Sequence, residues 1–235
     1  MKNKTNKILL VGDVHGYWSY LNQIINKQKP DMVLQVGDFG YFPNFNEHNY
    51  NYINGQIKNH NIPIYWCDGN HEDHISIRKI MKEKGYLEVA PYVYYMKRGH
   101  VQELPDGRKV LWIGGAWSVD WQYRVDGRDW FREEELLAER DIDNVFDIKV
   151  GDIDIVISHT CPNEFIMGYD GEHYDPSRKV LSFVLDHVKP KLWYFGHWHN
   201  TRGGIHKYND VNVCKWQCLN TTMETGCWRW LEDAM

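Results

Sequence analysis

The sequence lacks several features that would place it in a specialised class. Its apolar runs fall short of the roughly 20 residues that cross a bilayer, and the stretch 8–11 near the start is shorter than the ~7–15 apolar residues of a secretory signal. Basic residues number 27 and acidic residues 32, so the net charge of −5 provides no global basic field for nucleic acid or anionic lipid. These absences predict a protein without a membrane partner and without an obvious nucleic-acid surface.

Paired cysteines are also missing. The five cysteines are an odd, scattered set with no Cys-x-x-Cys spacing: Cys67, Cys161, Cys214, Cys218 and Cys227. In a chain without an export signal, such a set is typical of reduced thiols. We therefore expect a cytoplasmic location.

The composition is otherwise that of a folded protein. Hydrophobic residues make up 43% of the 235 residues and charged residues 25%, which excludes a disordered chain. This length suits one domain with a sizeable core, and we expect a single domain over residues 1–235. The chain also carries 12 His and 11 Trp. A histidine content at this level suggests metal binding, but only the positions of the histidines in the chain indicate whether they form a metal site.

The first part of the chain alternates between short apolar runs and helical patterns. Strands are predicted at 7–11, 31–36 and 62–67, with helices at 17–27, 47–59 and 74–84, the last capped by Asp73. Short links between these elements are typical of parallel βαβ units and predict an α/β fold.

The pattern changes from residue 86. The predicted elements are strands at 92–96, 101–104, 109–113, 153–157 and 191–195, short helices at 132–140 and 177–188, and β-hairpins over 203–231 with a turn at Asn209 and Asp210. Residues 114–131 read as a loop rich in Gly, Trp and Arg. The hairpins are expected to belong to the same domain.

Polar side chains follow five of the predicted strands. In open α/β sheets, ligands bind outside the carboxyl ends of the strands, so these side chains are expected to converge. They are Asp13 and His15, Asp38, Asn70 and His71, His159, and His197 and His199. Imidazole and carboxylate without thiolate suit Mn, Fe or Zn. Apart from His71, seven nitrogen and oxygen ligands remain, more than one ion needs, which predicts a site for two metal ions.

Each motif alone has a plainer interpretation. An Asp-x-His after a strand is more often a helix cap with a surface histidine, and Gly-Asp after a strand is common. The His-x-His spacing is more specific, because alternate residues of an extended chain project to one side. The ordered set, with every motif closing a strand, favours the metal site.

These motifs resemble the calcineurin-like metallophosphoesterase superfamily. The match spans residues 12–199 and comprises Gly12-Asp13-Val14-His15-Gly16, Gly37-Asp38, Gly69-Asn70-His71-Glu72, Ser158-His159 and Gly196-His197-Trp198-His199. The resemblance implies a four-layer α/β/β/α sandwich with mixed sheets and a dinuclear metal site. It also implies that Asp38 bridges two ions, one held by Asp13, His15 and His199 and the other by Asn70, His159 and His197.

The same resemblance makes His71 the catalytic residue, near the leaving-group oxygen. In this chemistry two ions activate a bridging hydroxide for in-line attack on phosphorus. His71 is then either a general acid or only a hydrogen-bond donor, and Asp68 or Glu72 is a possible partner that orients it. Manganese is the expected ion, with Fe, Zn or Ni as alternatives.

One departure from the resemblance concerns the substrate. The Ser/Thr protein phosphatase branch has Asp-Arg-Gly starting three residues after its second Asp, whereas this chain has Tyr41, Phe42 and Pro43. A phosphate-gripping Arg must then come from elsewhere. Arg124 and Arg128 in the 114–131 loop are the candidates, with Trp117, Trp121 or Tyr123 as a stacking surface. Salt bridges from these arginines to Asp120, Asp126 or Asp129 are the plainer alternative.

Three functions remain open at this stage. A phosphatase acting on phosphomonoesters is the leading prediction, and a phosphodiesterase acting on nucleotides or nucleic acid is the alternative. A non-catalytic scaffold is the third, which the complete set of inferred ligands disfavours. The oligomeric state is not predictable from the sequence.

Overall fold

The computed structural model describes residues 7–42, 49–58, 61–81, 85–168 and 175–231. Its strands in chain order are β1 (Ile8–Val11), β2 (Met32–Gln35), β3 (Ile64–Trp66), β4 (Tyr86–Ala90), β5 (Val93–Met96), β6 (Val101–Glu103), β7 (Lys109–Ile113), β8 (Ile155–Ser158), β9 (Leu192–Phe195), β10 (Arg202–Lys207), β11 (Val213–Cys218) and β12 (Trp228–Trp230). Its α-helices are α1 (Trp18–Gln28), α2 (Asn49–Gln56), α3 (His74–Ile80), α4 (Arg132–Glu135) and α5 (Pro176–Val188).

The strands form two mixed sheets of six. The first has the order β12-β1-β2-β3-β5-β4 and the second β10-β11-β9-β8-β7-β6. Each sheet consists of four parallel strands with one antiparallel strand at either edge. The carboxyl ends of β1, β2 and β3 therefore meet at one edge of the first sheet, and those of β8 and β9 meet at one edge of the second.

Alternating apolar residues pack the sheets on both faces. In β1, Ile8 and Leu10 belong to the core between the sheets, together with Trp112 of β7, whereas Leu9 and Val11 pack on the helical side. This alternation follows the two-residue period of a strand. Outside the first sheet lie α1 and α3, and outside the second lies α5. The predicted four-layer α/β/β/α sandwich is confirmed.

The helix ends follow local sequence signals. The side chain of Asp73 accepts a hydrogen bond from the backbone N–H of Ser76 at 3.0 Å, which confirms its predicted capping role. Asp175 caps α5 by accepting from Ser177 N at 2.9 Å, and Pro176 occupies the first turn. The predicted helix residues 47, 48, 59 and 82–84 lie outside the described residues.

The predicted helix at 132–140 is wrong beyond its first turn. Only α4 is α-helical, and two 3₁₀ turns follow at Glu139–Asp141 and Asp143–Asp147. The reason is side-chain competition for backbone donors. Leu137 N donates to Ser177 Oγ at 3.0 Å, and Ala138 N donates to Asp141 Oδ2 at 3.0 Å.

Two strand predictions also need correction. The edge strand β4 was not predicted, because its outer residues are exposed and polar ones interrupt its apolar pattern. At the C-terminus β10 and β11 form the predicted hairpin, with Asn209 Oδ1 accepting from Val211 N and Asn212 N. A second hairpin does not form, because β12 pairs antiparallel with β1 in the other sheet.

Among the described helices, none is long and apolar enough to cross a bilayer.

Candidate metal centre

Five strand ends bring the predicted polar side chains to one edge of the sandwich. The first sheet contributes residues that follow β1, β2 and β3, and the second sheet contributes residues that follow β8 and β9. Contacts of 3.0–4.0 Å connect them into one cluster: Asp13, His15, Asp38, Asn70, His71, His159, His197 and His199.

The first group in this cluster consists of Asp13, His15 and His199, whose ligand atoms lie within 4.8 Å of one another. His199 Nε2 is 3.3 Å from Asp13 Oδ2 and 3.1 Å from His15 Nε2. Asp13 is fully buried, and its Oδ1 has no hydrogen-bond partner in the described part of the chain. A buried, unpaired carboxylate oxygen beside two imidazoles fits a cation, which would satisfy it.

The second group consists of Asn70, His159 and His197. Asn70 Oδ1 lies 3.1 Å from His159 Nε2 and 3.0 Å from His197 Nδ1. His159 Nδ1 is 2.9 Å from the carbonyl oxygen of Val36, so this nitrogen is the donor. That hydrogen bond leaves Nε2 of a neutral His159 ring free to bind a metal ion.

Asp38 lies between the two groups. Its Oδ2 is 3.3 Å from His159 Nε2 and 3.7 Å from His15 Nδ1. Its Oδ1 accepts a hydrogen bond from the backbone N–H of His71 at 3.0 Å. A carboxylate in this position can face two cations at once.

The backbone of these residues is unusual. Four of the candidate ligands have left-handed backbone angles: His15 (φ 50°), Asp38 (φ 52°), His197 (φ 67°) and His199 (φ 44°). Residues with side chains adopt this region only at a cost, and such strain concentrates at functional sites.

Close approach of the loops also requires glycine at two positions. A Cβ atom on Gly196 would collide with Asp13 Oδ1, and one on Gly69 would collide with Asp38 Oδ1. Buried Gln35, at the end of β2, connects the loops further. Its Nε2 donates to the carbonyl of Gly12, and its Oε1 accepts from Gly37 N, both at 3.1 Å.

The pKa directions indicate concentrated negative charge. Burial alone would lower the pKa of His159, but the carboxylates of Asp38 and Asp13 raise it to about 10. Burial raises the pKa of Asp38, yet His159, His71 and His15 together hold it well below its usual value. Buried carboxylates that hold a proton on an imidazole in this way would attract a cation to the same place.

His71 borders the cluster and contacts Arg124. Its Nε2 is 3.2 Å from Arg124 Nη2 and 3.9 Å from Asp38 Oδ2. A guanidinium only donates, so Nε2 is the acceptor and carries no proton in this arrangement. Burial lowers the pKa of His71 to about 4, and Arg124 contributes to the lowering.

The two predicted arginines occupy different environments. Asp120 holds Arg124 through Nε and Nη2, at 2.7 Å each, so Arg124 both forms the salt bridge given as the alternative and reaches the cluster. Arg128 is exposed and pairs with Asp129 at 2.9 Å. No contact between Arg128 and the cluster occurs within the described chain.

The predicted aromatic residues also differ in their packing and in whether they line a cleft. Trp121 stacks on Trp130, with centroids 5.4 Å apart, and lies outside the cleft that the cluster opens into. Tyr123 is 90% exposed. Trp117 contacts both tryptophans edge-on and lines that cleft itself.

The suggested partners of His71 are engaged elsewhere. Asp68 accepts from Arg98 Nε at 2.9 Å and from the Tyr95 hydroxyl at 3.0 Å. Glu72 accepts from the backbone of Gly40 and Gly69 and so connects the loops after β2 and β3. The expectation that Asp68 or Glu72 orients the His71 ring is therefore not met in the described structure, where Arg124 is its polar contact.

The cluster opens into two clefts. The Trp117 cleft, about 380 Å³, is lined by Asp38, Asn70, His71, Trp117, Val119, Asp120, Asp175, His197, Trp198 and His199. The Thr221 cleft, about 820 Å³, is lined by His15, Tyr17, Phe42, His199, Asn220, Thr221, Met223 and Glu224. His199 belongs to both, so a molecule at the cluster can extend in two directions.

Sequence reasoning did not find two buried residues behind the cluster. Ser118 and Glu135 connect to Asn70 through hydrogen bonds of 2.8–3.0 Å. Ser118 lies in the 114–131 loop, which the sequence assigned only to the substrate. No local signal marks Glu135, because its partners come from distant parts of the chain.

The sandwich and the cluster of His, Asp and Asn side chains at its edge are features expected of a hydrolase of phosphoric esters. A family model described as calcineurin-like phosphoesterase matches residues 6–201. The chain belongs to this family, which typically binds two metal ions.

Solved structures with a similar fold are distant in sequence. TT1561 of Thermus thermophilus has a TM-score of 0.55 and 12% identity, covering 92% of this chain and 90% of that chain. GAP50, described as the anchor in the inner membrane complex of Plasmodium, has a TM-score of 0.47 and 12% identity, covering 97% and 78%. The NAD nucleotidase NadN of Haemophilus influenzae has a TM-score of 0.47 and 15% identity, covering 92% and 44%. Among curated proteins, none matches this sequence closely enough to be reported as a relative.

Proposed function

We propose that the protein is a metal-dependent phosphatase acting on phosphomonoesters. The observation that carries the proposal is the position of Asp38, within 3.7 Å of a histidine from each ligand group. Asp13, His15 and His199 would hold one ion, and Asn70, His159 and His197 the other, with Asp38 shared. When bound, two such ions supply Lewis-acid activation of a water nucleophile and neutralise the charge of the phosphoryl oxygens.

His71 and Arg124 would receive the substrate. His71 and Asp120 line the Trp117 cleft, and Arg124 contacts both: its Nη2 lies 3.2 Å from His71 Nε2, and Asp120 fixes the guanidinium. A cation at this position would grip a phosphoryl oxygen, as the missing Asp-Arg-Gly segment requires. We assign His71 the role of a hydrogen-bonding partner that takes up a proton only when Arg124 turns to the phosphate. Arg128 and Trp121 remain predicted substrate residues of lower priority, because Arg124 contacts His71, whereas Arg128 pairs with Asp129 and Trp121 packs on Trp117 and Trp130.

The test is hydrolysis of p-nitrophenyl phosphate and bis-p-nitrophenyl phosphate, with manganese added after removal of bound metal. We expect turnover of the monoester that depends on the metal and that Asp210→Asn, an exposed control, leaves unchanged. Turnover of neither ester with Mn, Fe, Zn or Ni, together with no metal uptake, would favour the scaffold and overturn the proposal.

A phosphodiesterase is the second candidate, and the two clefts favour it. A diester carries two substituents, and clefts that meet at His199 would accept one on each side. A higher kcat/KM for bis-p-nitrophenyl phosphate than for the monoester would select this function. The net charge of −5 makes a long polyanion such as nucleic acid a weaker choice of diester.

Manganese and a cytoplasmic location are further parts of the proposal. The donors are nitrogen and oxygen atoms, which suit manganese among the transition metals. All five cysteines are buried free thiols, which supports a reducing compartment. Metal analysis of the protein purified without chelator tests the first, and fractionation of the native cell tests the second.

A further inference from the structure

A chain of three buried side chains leads from the candidate metal centre into the core. Asn70 Nδ2 donates to Ser118 Oγ at 3.0 Å, and Ser118 Oγ donates to Glu135 Oε2 at 2.8 Å. The backbone N–H of Ser118 donates to the other oxygen, Oε1, at 2.9 Å. Ser118 and Glu135 are completely buried, and Asn70 is nearly so.

The donor and acceptor roles in this series of hydrogen bonds follow from the chemistry of Glu135. Above its pKa of about 7 the Glu135 carboxyl is ionised, and an ionised carboxylate only accepts hydrogen bonds, so at pH 8 the Ser118 hydroxyl has to donate to it. The Ser118 oxygen then has only lone pairs left for Asn70. The group of Asn70 that can donate to it is the NH₂, and the amide oxygen must point the other way.

The other end of the amide faces the second ligand group. Asn70 Oδ1 lies 3.1 Å from His159 Nε2 and 3.0 Å from His197 Nδ1. A side-chain amide binds a metal ion through its oxygen, whereas its NH₂ has no lone pair to offer. An amide turned by 180° would therefore present the wrong group to the ion.

We propose that Ser118 and Glu135 are positioning residues that hold the Asn70 amide with its oxygen toward His159 and His197. The inference rests on the proposed metal site and extends it to residues that do not touch an ion. It also gives part of the 114–131 loop a second role, because the loop that carries Arg124 and Trp117 supports the metal centre from behind.

The test measures manganese affinity by titration calorimetry at pH 8 in Ser118→Ala, Glu135→Gln and the double variant. We expect the affinity of the Asn70-side ion to fall by about 10–100-fold, the usual effect of losing an outer partner of a ligand. The ion held by Asp13, His15 and His199 should keep its affinity within about threefold. The double variant should bind manganese no more weakly than the weaker-binding single variant, because both changes break the same series of hydrogen bonds.

A matched control comes from a second Ser–Glu pair. Ser182 Oγ donates to Glu164 Oε2 at 2.7 Å on an exposed part of α5, outside both clefts. Ser182→Ala and Glu164→Gln should leave both affinities unchanged. Thermal unfolding of each metal-free variant identifies those that fail to fold, and any such variant is replaced by Ser118→Gly or Glu135→Ala.

Three outcomes separate the possibilities. Weakened binding of one ion in both single variants supports the proposal. Unchanged binding in folded Ser118 and Glu135 variants, with loss in Asn70→Ala, would overturn the positioning role and leave the metal site intact. Two tightly bound ions in Asn70→Ala would instead overturn the ligand assignment itself.

Discussion

At the scale of single residues, Asp38 combines two side-chain roles with an unusual backbone conformation. Its side chain faces histidines of both ligand groups, its Oδ1 accepts from the His71 backbone, and its own backbone is left-handed with φ 52°. A substitution that keeps the shape of the side chain but removes its charge tests whether the negative charge is needed for function.

We predict that Asp38→Asn loses both metal occupancy and activity. The variant keeps the volume and one oxygen but removes the negative charge that would offset two neighbouring cations. Metal content per chain and turnover of p-nitrophenyl phosphate are the measurements, with Asp210→Asn as the exposed control. Two ions at full occupancy in the variant would show that the shared position is misassigned.

His71 should behave differently from the ligands. We predict that His71→Ala keeps its metal content and lowers turnover by about 10²–10⁴, the usual range for acid–base groups. His206→Ala, in a histidine on β10 outside the clefts, should leave turnover unchanged. Unchanged turnover in a metal-loaded His71→Ala variant would remove His71 from the reaction.

At the scale of elements, α4 contributes a carboxyl group to the core. Burial raises the pKa of Glu135 to about 7, from an ordinary value of 4.5, although hydrogen bonds from Ser118 oppose the shift. Between these two values the folded protein holds a proton that the unfolded chain has lost. The contribution of Glu135 to stability is therefore present at low pH and is lost as the pH rises toward 7.

We predict a pH-dependent difference between the wild type and Glu135→Gln, which cannot titrate at this position. The free energy of unfolding of the wild type, relative to the variant, should fall by roughly 3 kcal/mol between pH 4.5 and pH 7.5. Urea unfolding of the metal-free proteins at both pH values measures it. A difference that stays constant with pH would contradict the raised pKa.

The elements also show which features a sequence can reveal. Each candidate ligand motif follows closely after a short apolar strand, so both the strand and its polar end can be recognised locally, and parallel pairing brings the ends together. The Asn70–Ser118 contact spans 48 residues, and β12 reaches back to β1. Such pairings depend on packing of the whole chain. The shortened α4 was equally unpredictable, because Ser177, in a distant helix, takes the backbone donor of Leu137.

At the scale of the molecule, metal removal should lower stability. Ions that bind only the folded state stabilise it by mass action, about 2.7 kcal/mol for each ion present at 100 times its Kd. We predict that a chelator lowers the thermal midpoint of the wild type and that excess manganese restores it. The thermal midpoint of Asp38→Asn should change little with the chelator or with added manganese. A wild-type midpoint that the chelator leaves unchanged would contradict tight binding.

The two ligand groups draw their members from both sheets. The first combines Asp13 and His15 after β1 with His199 after β9, and the second combines Asn70 after β3 with His159 and His197 after β8 and β9. Each ion would thus act as a cross-link between two halves that are also joined by apolar packing and by hydrogen bonds such as that between His159 Nδ1 and the Val36 carbonyl. Amide hydrogen exchange should then slow in both halves together upon loading, and the candidate metal centre would be complete only when the two sheets are packed together.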